Sequence, residues 1–178
     1  TAIPGFQGNL ENTAAYAAGI KAGFEVQGRN VQVLGFAGDG ATVDIGIQAL
    51  SGALERGDRI LYICYDNEAY MNTGIQGSGS TPLDAWTTTT PGGKTVYRKD
   101  MIGIVAAHKI PYTATASVGY VDDLRKKVEK AKEATKIGPA YLHIHIPCPT
   151  GWGSEPYTSI EIANFPVHTL SWPFYEII

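Results

Sequence analysis

The chain has 178 residues, enough for one domain with a core of its own. Its 44% hydrophobic and 17% charged content is ordinary for a globular protein, and a formal net charge of −3 gives no general electrostatic reason to bind nucleic acid. No apolar run is long enough to span a bilayer and no signal peptide is read in it; Cys64 and Cys148 make no disulfide framework, so a reducing cytoplasm is the expected setting.

The opening run Thr1-Ala2-Ile3-Pro4-Gly5-Phe6 reads like the middle of a chain, and a piece of a longer polypeptide is expected. Asn9 to Ala22 is expected to be a helix, with Asn9 as its N-cap and Gly23 as its stop. The apolar run Val31 to Phe36 reads as a short buried strand at the centre of a parallel sheet. Ile47, Leu50 and Leu54 recur at helical spacing, so Thr42 to Glu55 is predicted to be a crossover helix ended by Gly57-Asp58. Arg59 to Asp66 is the next strand. A loop rich in Gly, Ser, Thr and Pro follows, from Thr73 to Lys99, and irregular loops of that length in compact domains are usually functional.

Asp100 to His108 reads as a short helix and Tyr112 to Ala116 as a small strand. Val121 to Ala134 is the clearest helix: Val121, Leu124, Val128 and Ala131 mark one face, with acids at its start and lysines at its end as the macrodipole prefers. The cationic cluster Arg125 to Lys136 is interleaved with acids and reads as a solvated helix face. Ala140 to Ile146 is a strand stopped by Pro147-Cys148-Pro149. The tail after Gly151 has aromatics and prolines but no period, and is expected to wrap the domain or meet a partner, with Trp172 to Tyr175 as a packing or subunit contact. Alternating strands and helices predict one α/β domain over residues 1–178, a parallel sheet flanked by helices on both faces.

Two blocks carry chemistry. Gly38-Asp39-Gly40 follows the first strand, and after 26 residues Asn67-Glu68-Ala69-Tyr70-Met71-Asn72-Thr73-Gly74 follows the second. One crossover then puts an acid and an amide at the same sheet edge, where open α/β sheets bind ligands. An Asp, an amide oxygen and a freed backbone carbonyl are hard oxygen ligands, which Mg²⁺ takes when it also holds a diphosphate. The glycines beside Asp39 let backbone amides approach that diphosphate at a helix start. Alone, the triplet is often only an Asp-Gly turn, and the spacing of Gly35, Gly38 and Gly40 is not the dinucleotide fingerprint. The two blocks together point to a metal–diphosphate site. His143 and His145 share one face of their strand with no third ligand at metal spacing, and read as hydrogen-bonded structural residues; Cys64 reads as core.

Gly-Asp-Gly, 26 residues and Asn resembles the thiamine-diphosphate motif. Asp66 to Gly74 resembles one branch of it, the 2-oxoacid:ferredoxin oxidoreductases, of which pyruvate:ferredoxin oxidoreductase is the best known. Ala85-Trp86-Thr87-Thr88-Thr89-Thr90-Pro91-Gly92, Tyr112-Thr113-Ala114-Thr115-Ala116-Ser117 and Pro147-Cys148-Pro149-Thr150-Gly151-Trp152 look like further blocks of its β subunits, in the family's order. The resemblance covers essentially the whole chain. It implies a thiamine-diphosphate-binding fold, in a fragment of a β subunit that lacks an N-terminal cysteine-bearing segment. It implies that Asp39 and Asn67 hold Mg²⁺ by their side chains and Ala69 by its backbone carbonyl. Gly38, Gly40 and Ala41 would line the diphosphate. Met71, Asn72 and Thr73 would lie toward the thiazolium and the substrate carbon, with Asn72 as the candidate catalytic group. Cys148 would give one thiolate to a [4Fe-4S] cluster whose other ligands lie upstream. Four thiolates are normally required, and a lone cysteine otherwise behaves as a small hydrophobe.

The activity so implied is thiamine-diphosphate-dependent oxidative decarboxylation of a 2-oxoacid, pyruvate by default, with electrons passing through [4Fe-4S] clusters to ferredoxin and the acyl group to coenzyme A. In the family the glutamate that activates the aminopyrimidine sits on a separate domain, and nothing in this chain matches it. A partner subunit or domain of α/γ type is therefore expected to face Gly38 to Ala41 and Asn67 to Gly74. Oxalate, branched-chain and aryl 2-oxoacids remain alternatives. So do a cluster-free thiamine-dependent decarboxylase or synthase, and a Mg²⁺-dependent phosphate-binding module without catalysis. Gly77-Ser78-Gly79 and the lack of a bulky residue after Gly40 depart from the family pattern and are expected to alter the substrate pocket.

Overall fold

The computed structural model of the protein describes residues 3–178; Thr1 and Ala2, part of the run read as the middle of a chain, lie outside the described residues. In chain order the elements are α1 (Thr13–Val26), β1 (Leu34–Gly38), α2 (Ile47–Glu55), β2 (Leu61–Asp66), β3 (Ala69–Tyr70), β4 (Gln76–Gly77), α3 (Met101–Ala106), β5 (Tyr112–Ser117), α4 (Val121–Ala134), β6 (Ala140–His145), α5 (Pro149–Trp152), α6 (Ser159–His168) and β7 (Glu176–Ile177). The main sheet has the order β1-β2-β6-β5-β7, and β3 and β4 form a separate small hairpin. Four strands are parallel, as expected of an α/β chain. The fifth is not: after α6 the tail runs back along the sheet edge, and β7 pairs antiparallel with β5.

Two apolar layers cover the sheet. Tyr62, Cys64 and Tyr141 face Ala17, Leu50, Leu54, Met101 and Val105 of α1, α2 and α3. Leu61, Ile63, Leu142 and Ile144 belong to the opposite layer, with Leu124, Val128 and Ala131 of α4. The first strand departs from expectation. It begins at Leu34 and is the sheet edge, and its side chains alternate in burial, leaving Leu34 44% and Phe36 58% exposed. An apolar run suits a central strand, but it equally suits an edge strand with one covered face.

Helix boundaries moved for local reasons. Leu10–Asn12 is a 3₁₀ turn and Asn9 makes no side-chain capping bond. Gly23 lies inside α1, which stops before Gly28, whose φ of +69° is the left-handed conformation that ends helices. The expected crossover helix is split. Gly40–Ile45 winds as a π-helical turn and α2 starts after Gly46. A Cβ on Gly46 would lie 2.2 Å from the Ala41 carbonyl oxygen, so only glycine permits that junction. Helix α4 spans Val121–Ala134 as predicted, but its Lys127 is buried, paired with Asp123 at 2.7 Å and 4.4 Å from the Phe174 ring. The tail wraps the domain: Trp172 is buried and its indole N–H donates to the Ala116 carbonyl at 2.9 Å. Among the described residues no helix is long and apolar enough to cross a membrane.

Candidate functional site

The carboxyl ends of β1 and β2 lie side by side, Gly38 opposite Tyr65 in register, so the loops leaving them meet. Asp39 opens the π-helical turn, and Thr42 ties that turn to the strand by donating to the Gly38 carbonyl at 2.8 Å. The first amides of such a turn have no partner within it and are free to bind an anion. Gly40 and Ala41, both buried, stand there. Glycine at 40 has a packing reason of its own. A Cβ would fall 2.2 Å from the Tyr70 ring, whose hydroxyl shares its one proton between the Gly40 carbonyl at 3.0 Å and Asp44 Oδ2 at 3.2 Å.

The second loop turns sharply. Glu68 has φ +67°, a left-handed conformation costing a side-chain-bearing residue roughly 1–2 kcal/mol. It is held there from three sides. Its N–H donates to Asp66 Oδ1 at 2.8 Å, its carbonyl accepts from the Thr81 hydroxyl at 2.5 Å, and its carboxylate pairs with Arg98 at 3.2 Å. The Trp152 indole N–H adds a bond to the Asn67 carbonyl at 3.1 Å. Burial first, then the Asp66 charge, push the Glu68 carboxyl up to about 7 against the pull of Arg98.

This turn aims the flanking oxygens at Asp39. The Asn67 carboxamide oxygen lies 3.2 Å from Asp39 Oδ1 and 2.8 Å from the Ala69 carbonyl oxygen. Three acceptors facing one another have two chemical solutions: the amide turns over and donates to both, or a cation sits among them. A Mg²⁺ ion with octahedral oxygens at ~2.0–2.1 Å has octahedron edges of about 2.9 Å, close to these spacings. Asp39 is 2% exposed, and burial, followed by the Asp66 charge, pushes its carboxyl up to about 7. A cation at this point would offset both. The donor set of one carboxylate, one amide and one peptide carbonyl therefore fits Mg²⁺, with the remaining positions left to a diphosphate and water.

Asp66 stays ionised despite full burial because His143 Nε2 lies 2.7 Å from its Oδ2. Burial opposes charge on His143, but Cys64 and Asp66 outweigh it and carry the imidazole up to about 10. The Tyr141 hydroxyl lies 3.0 Å from His143 Nδ1. His143 is thus hydrogen-bonded, as expected. His145 is not: both ring nitrogens are buried without a partner among the described residues, between Trp152 and Trp172, and burial lowers it to about 4.

The other candidate residues fall on the β3–β4 hairpin and its neighbour α5. Met71 is half-buried, whereas Asn72 and Thr73 are exposed at the hairpin turn. Thr73 donates to Gln76 at 2.6 Å. Met71 and Cys148 meet over Gly151, where a Cβ would fall 2.2 Å from Met71 Sδ and 3.4 Å from Cys148 Sγ. A cleft of about 570 Å³ opens here, lined among others by Ala69, Met71, Ile75, Pro82, Trp86 and Trp152. Cys148 is the one thiol at this place, since Cys64 is buried in the core. Among the described residues no group of three or more His, Cys, Asp or Glu side chains is placed to hold a metal. An iron–sulfur cluster therefore does not fit these residues alone.

The long loop is more ordered than its composition suggests, and it carries groups that sequence reading missed. Ser78 donates to Asp39 Oδ2 at 2.5 Å, and the buried Lys94 donates to the Ser78 and Thr81 carbonyls at 2.9 and 2.7 Å. Ser78, in the segment expected to alter the substrate pocket, bonds to the acid of the triplet. The departure at Gly77-Ser78-Gly79 was its only signal.

The family described as thiamine pyrophosphate enzyme, C-terminal TPP binding domain, matches residues 1–144. The pyruvate synthase subunit PorB of Methanothermobacter thermautotrophicus is 54% identical over 181 residues, covering 98% of this chain and 62% of the relative. The ketoisovalerate oxidoreductase subunit VorB of Pyrococcus abyssi is 50% identical over 182 residues, covering 96% of this chain and 58% of the relative. A structure of 2-oxoglutarate:ferredoxin oxidoreductase from Magnetococcus marinus with 2-oxoglutarate, coenzyme A and succinyl-CoA bound superposes with a TM-score of 0.70 at 25% identity, covering 79% of this chain and 46% of that one. The chain thus spans about three-fifths of the length of the curated relatives it matches.

Proposed function

The chain belongs to the thiamine pyrophosphate enzymes, through their C-terminal TPP-binding domain, and on that premise we propose that it is the cofactor-binding part of a 2-oxoacid:ferredoxin oxidoreductase. The observation that carries this reading is the convergence of Asp39 Oδ1, the Asn67 amide oxygen and the Ala69 carbonyl at the carboxyl edge of the sheet. These three would hold Mg²⁺, and Gly38, Gly40 and Ala41 would line the diphosphate. When bound, thiamine diphosphate supplies a nucleophilic carbon and an electron sink for loss of carbon dioxide from a 2-oxoacid. Met71, Asn72 and Thr73 would flank the reacting end. The Asn72 side chain makes no hydrogen bond among the described residues, so it is free to orient a substrate oxygen. The glutamate that activates the cofactor would come from a partner subunit or domain facing this edge, because Glu68 is engaged with Arg98.

The overall reaction proposed is oxidative decarboxylation of a 2-oxoacid, with electrons delivered to ferredoxin and the acyl group to coenzyme A. Relatives named for pyruvate and ketoisovalerate, and a structural neighbour holding 2-oxoglutarate, share only the 2-oxoacid group, so that group is the substrate class. Cys148 would offer one thiolate to a [4Fe-4S] cluster completed from other parts of the assembly. The intact assembly is expected to take up thiamine diphosphate with Mg²⁺ and to refuse ATP and ADP, and Asp39→Asn and Asn67→Leu each to weaken uptake at least tenfold. Equal uptake of nucleotides would favour a generic phosphate-binding module. Iron content unchanged by Cys148→Ala would favour a thiamine enzyme in which this thiol is no ligand.

A further inference from the structure

Asp39 has two carboxylate oxygens, and the converging site uses one. Oδ1 faces Asn67, while Oδ2 accepts the Ser78 hydroxyl proton at 2.5 Å. That hydroxyl has a single proton to give, and its oxygen accepts the Ser80 N–H at 3.1 Å. Ser78 is 5% exposed and is fixed from both sides of its backbone. Its N–H donates to Thr81 Oγ1 at 2.9 Å, and its carbonyl accepts from the Lys94 ammonium at 2.9 Å. Thr81 in turn donates to the Glu68 carbonyl, inside the turn that aims Asn67 and Ala69. Gly79 N–H is bound to Asp44 at 2.9 Å, on the π-helical turn that follows Asp39. One short segment therefore ties the acid's loop to the amide's loop and occupies the acid's second oxygen.

We propose that Ser78 keeps Asp39 a one-oxygen ligand and so sets the site's preference for Mg²⁺ over Ca²⁺. This rests on the reading above, that Asp39, Asn67 and Ala69 hold the divalent ion of the cofactor. Mg²⁺ demands six ligands in near-ideal octahedral geometry, which one-oxygen carboxylates satisfy. Ca²⁺ accepts six to eight ligands at longer range and readily takes both oxygens of one carboxylate. To do so here it would have to break a charge-assisted hydrogen bond in a buried place. Mg²⁺ meets no such demand. Ser78 is a positioning residue, acting through Asp39 and touching neither substrate nor cofactor.

The test uses the intact assembly, stripped of cofactor and reloaded with thiamine diphosphate and either Mg²⁺ or Ca²⁺, with dissociation constants of both ions measured by calorimetry. In Ser78→Ala the ratio of Mg²⁺ to Ca²⁺ affinity is expected to fall about tenfold, the worth of one hydrogen bond to a charged group. Ser78→Thr, which keeps the hydroxyl, is expected to hold the ratio at the wild-type value. A ratio within twofold of wild type in the alanine variant overturns the proposal. So does a fall of both affinities by one factor, which is what mere loosening of the loop produces, or a loss that threonine does not restore. Ser78→Cys, a weak donor of similar length, replaces the alanine variant if that variant does not assemble. Wild-type protein that takes up neither ion with thiamine diphosphate defeats the underlying reading and the inference together; wild-type uptake with an unmoved ratio defeats the inference alone.

Discussion

Gly40 shows how one missing side chain serves two neighbours. Its lack of a Cβ makes room for the Tyr70 ring, and the Tyr70 hydroxyl returns its proton to the Gly40 carbonyl and Asp44, which share it. A methyl at this position must push the ring out of that place. Gly40→Ala is expected to lower unfolding free energy by about 1–3 kcal/mol, the usual cost of overpacking, and to weaken uptake of thiamine diphosphate with it. Urea midpoints read the first effect and cofactor titration the second. Glu68 is the converse case, a bulky residue in a glycine conformation. Three hydrogen-bonding partners hold its backbone and carboxylate, and the reward is that its two neighbours point at one place. Sequence reading marked Asp39 and Asn67 correctly as neighbours because each stands at the end of a recognisable strand. It marked Ser78 only as part of a departure from the family pattern, not as a partner of Asp39.

At the scale of elements, the decisive feature is the break between the π-helical turn and α2. Two glycines in this region test it with opposite signs. At Gly46 a Cβ would meet two backbone oxygens, Ala41 at 2.2 Å and Glu11 at 2.7 Å, neither of which can move cheaply. Gly46→Ala should therefore destabilise by about 1–3 kcal/mol. At Gly52, inside α2, the nearest atom is the end of the flexible Arg56 side chain at 3.2 Å. Gly52→Ala should stabilise by about 0.5–1 kcal/mol, the cost of glycine in a helix interior. Thermal midpoints moving in the same direction for both variants would contradict this account. Helical spacing of Ile47, Leu50 and Leu54 was enough to predict a helix here. It could not show that the first residues wind differently, because a π-helical turn has no period of its own over six residues.

For the whole molecule, the buried Asp66–His143 pair joins the two central strands and gives stability a pH dependence whose sign can be stated. His143 is raised from 6.5 to about 10 in the fold, so its contribution is complete below about pH 6.5 and is lost as pH rises through about 10. Asp66 is lowered from 3.8, so its contribution is present above about pH 4 and is lost as pH falls through its folded value. The pair's contribution to unfolding free energy should be greatest between about pH 4 and 6.5 and should decline toward pH 10. His143→Gln should flatten that alkaline decline. A variant with the same alkaline slope as wild type in chemical denaturation at pH 6, 8 and 9.5 would assign the slope to other groups. The pair also explains why two acids can lie near each other at the site: the ionised Asp66 has its counter-charge, and Asp39 is the one that wants a cation.

The amino-acid sequence by itself determined the α/β alternation, the helix Val121–Ala134, and the pairing of the Gly-Asp-Gly triplet with the Asn67 turn. Each of these is written in neighbouring residues, as a period or as a short block at a strand end. Only the tertiary structure decided the rest. β1 sits at the sheet edge because strand order depends on which crossovers close over which face, not on how apolar one strand is. β7 and Trp172 close the other side from a tail that has no period to read. Ser78 reaches Asp39 across 39 residues, and Trp152 reaches Asn67 across 85. Contacts made at such separations leave no spacing in the chain, and they appear only when packing brings the loops together.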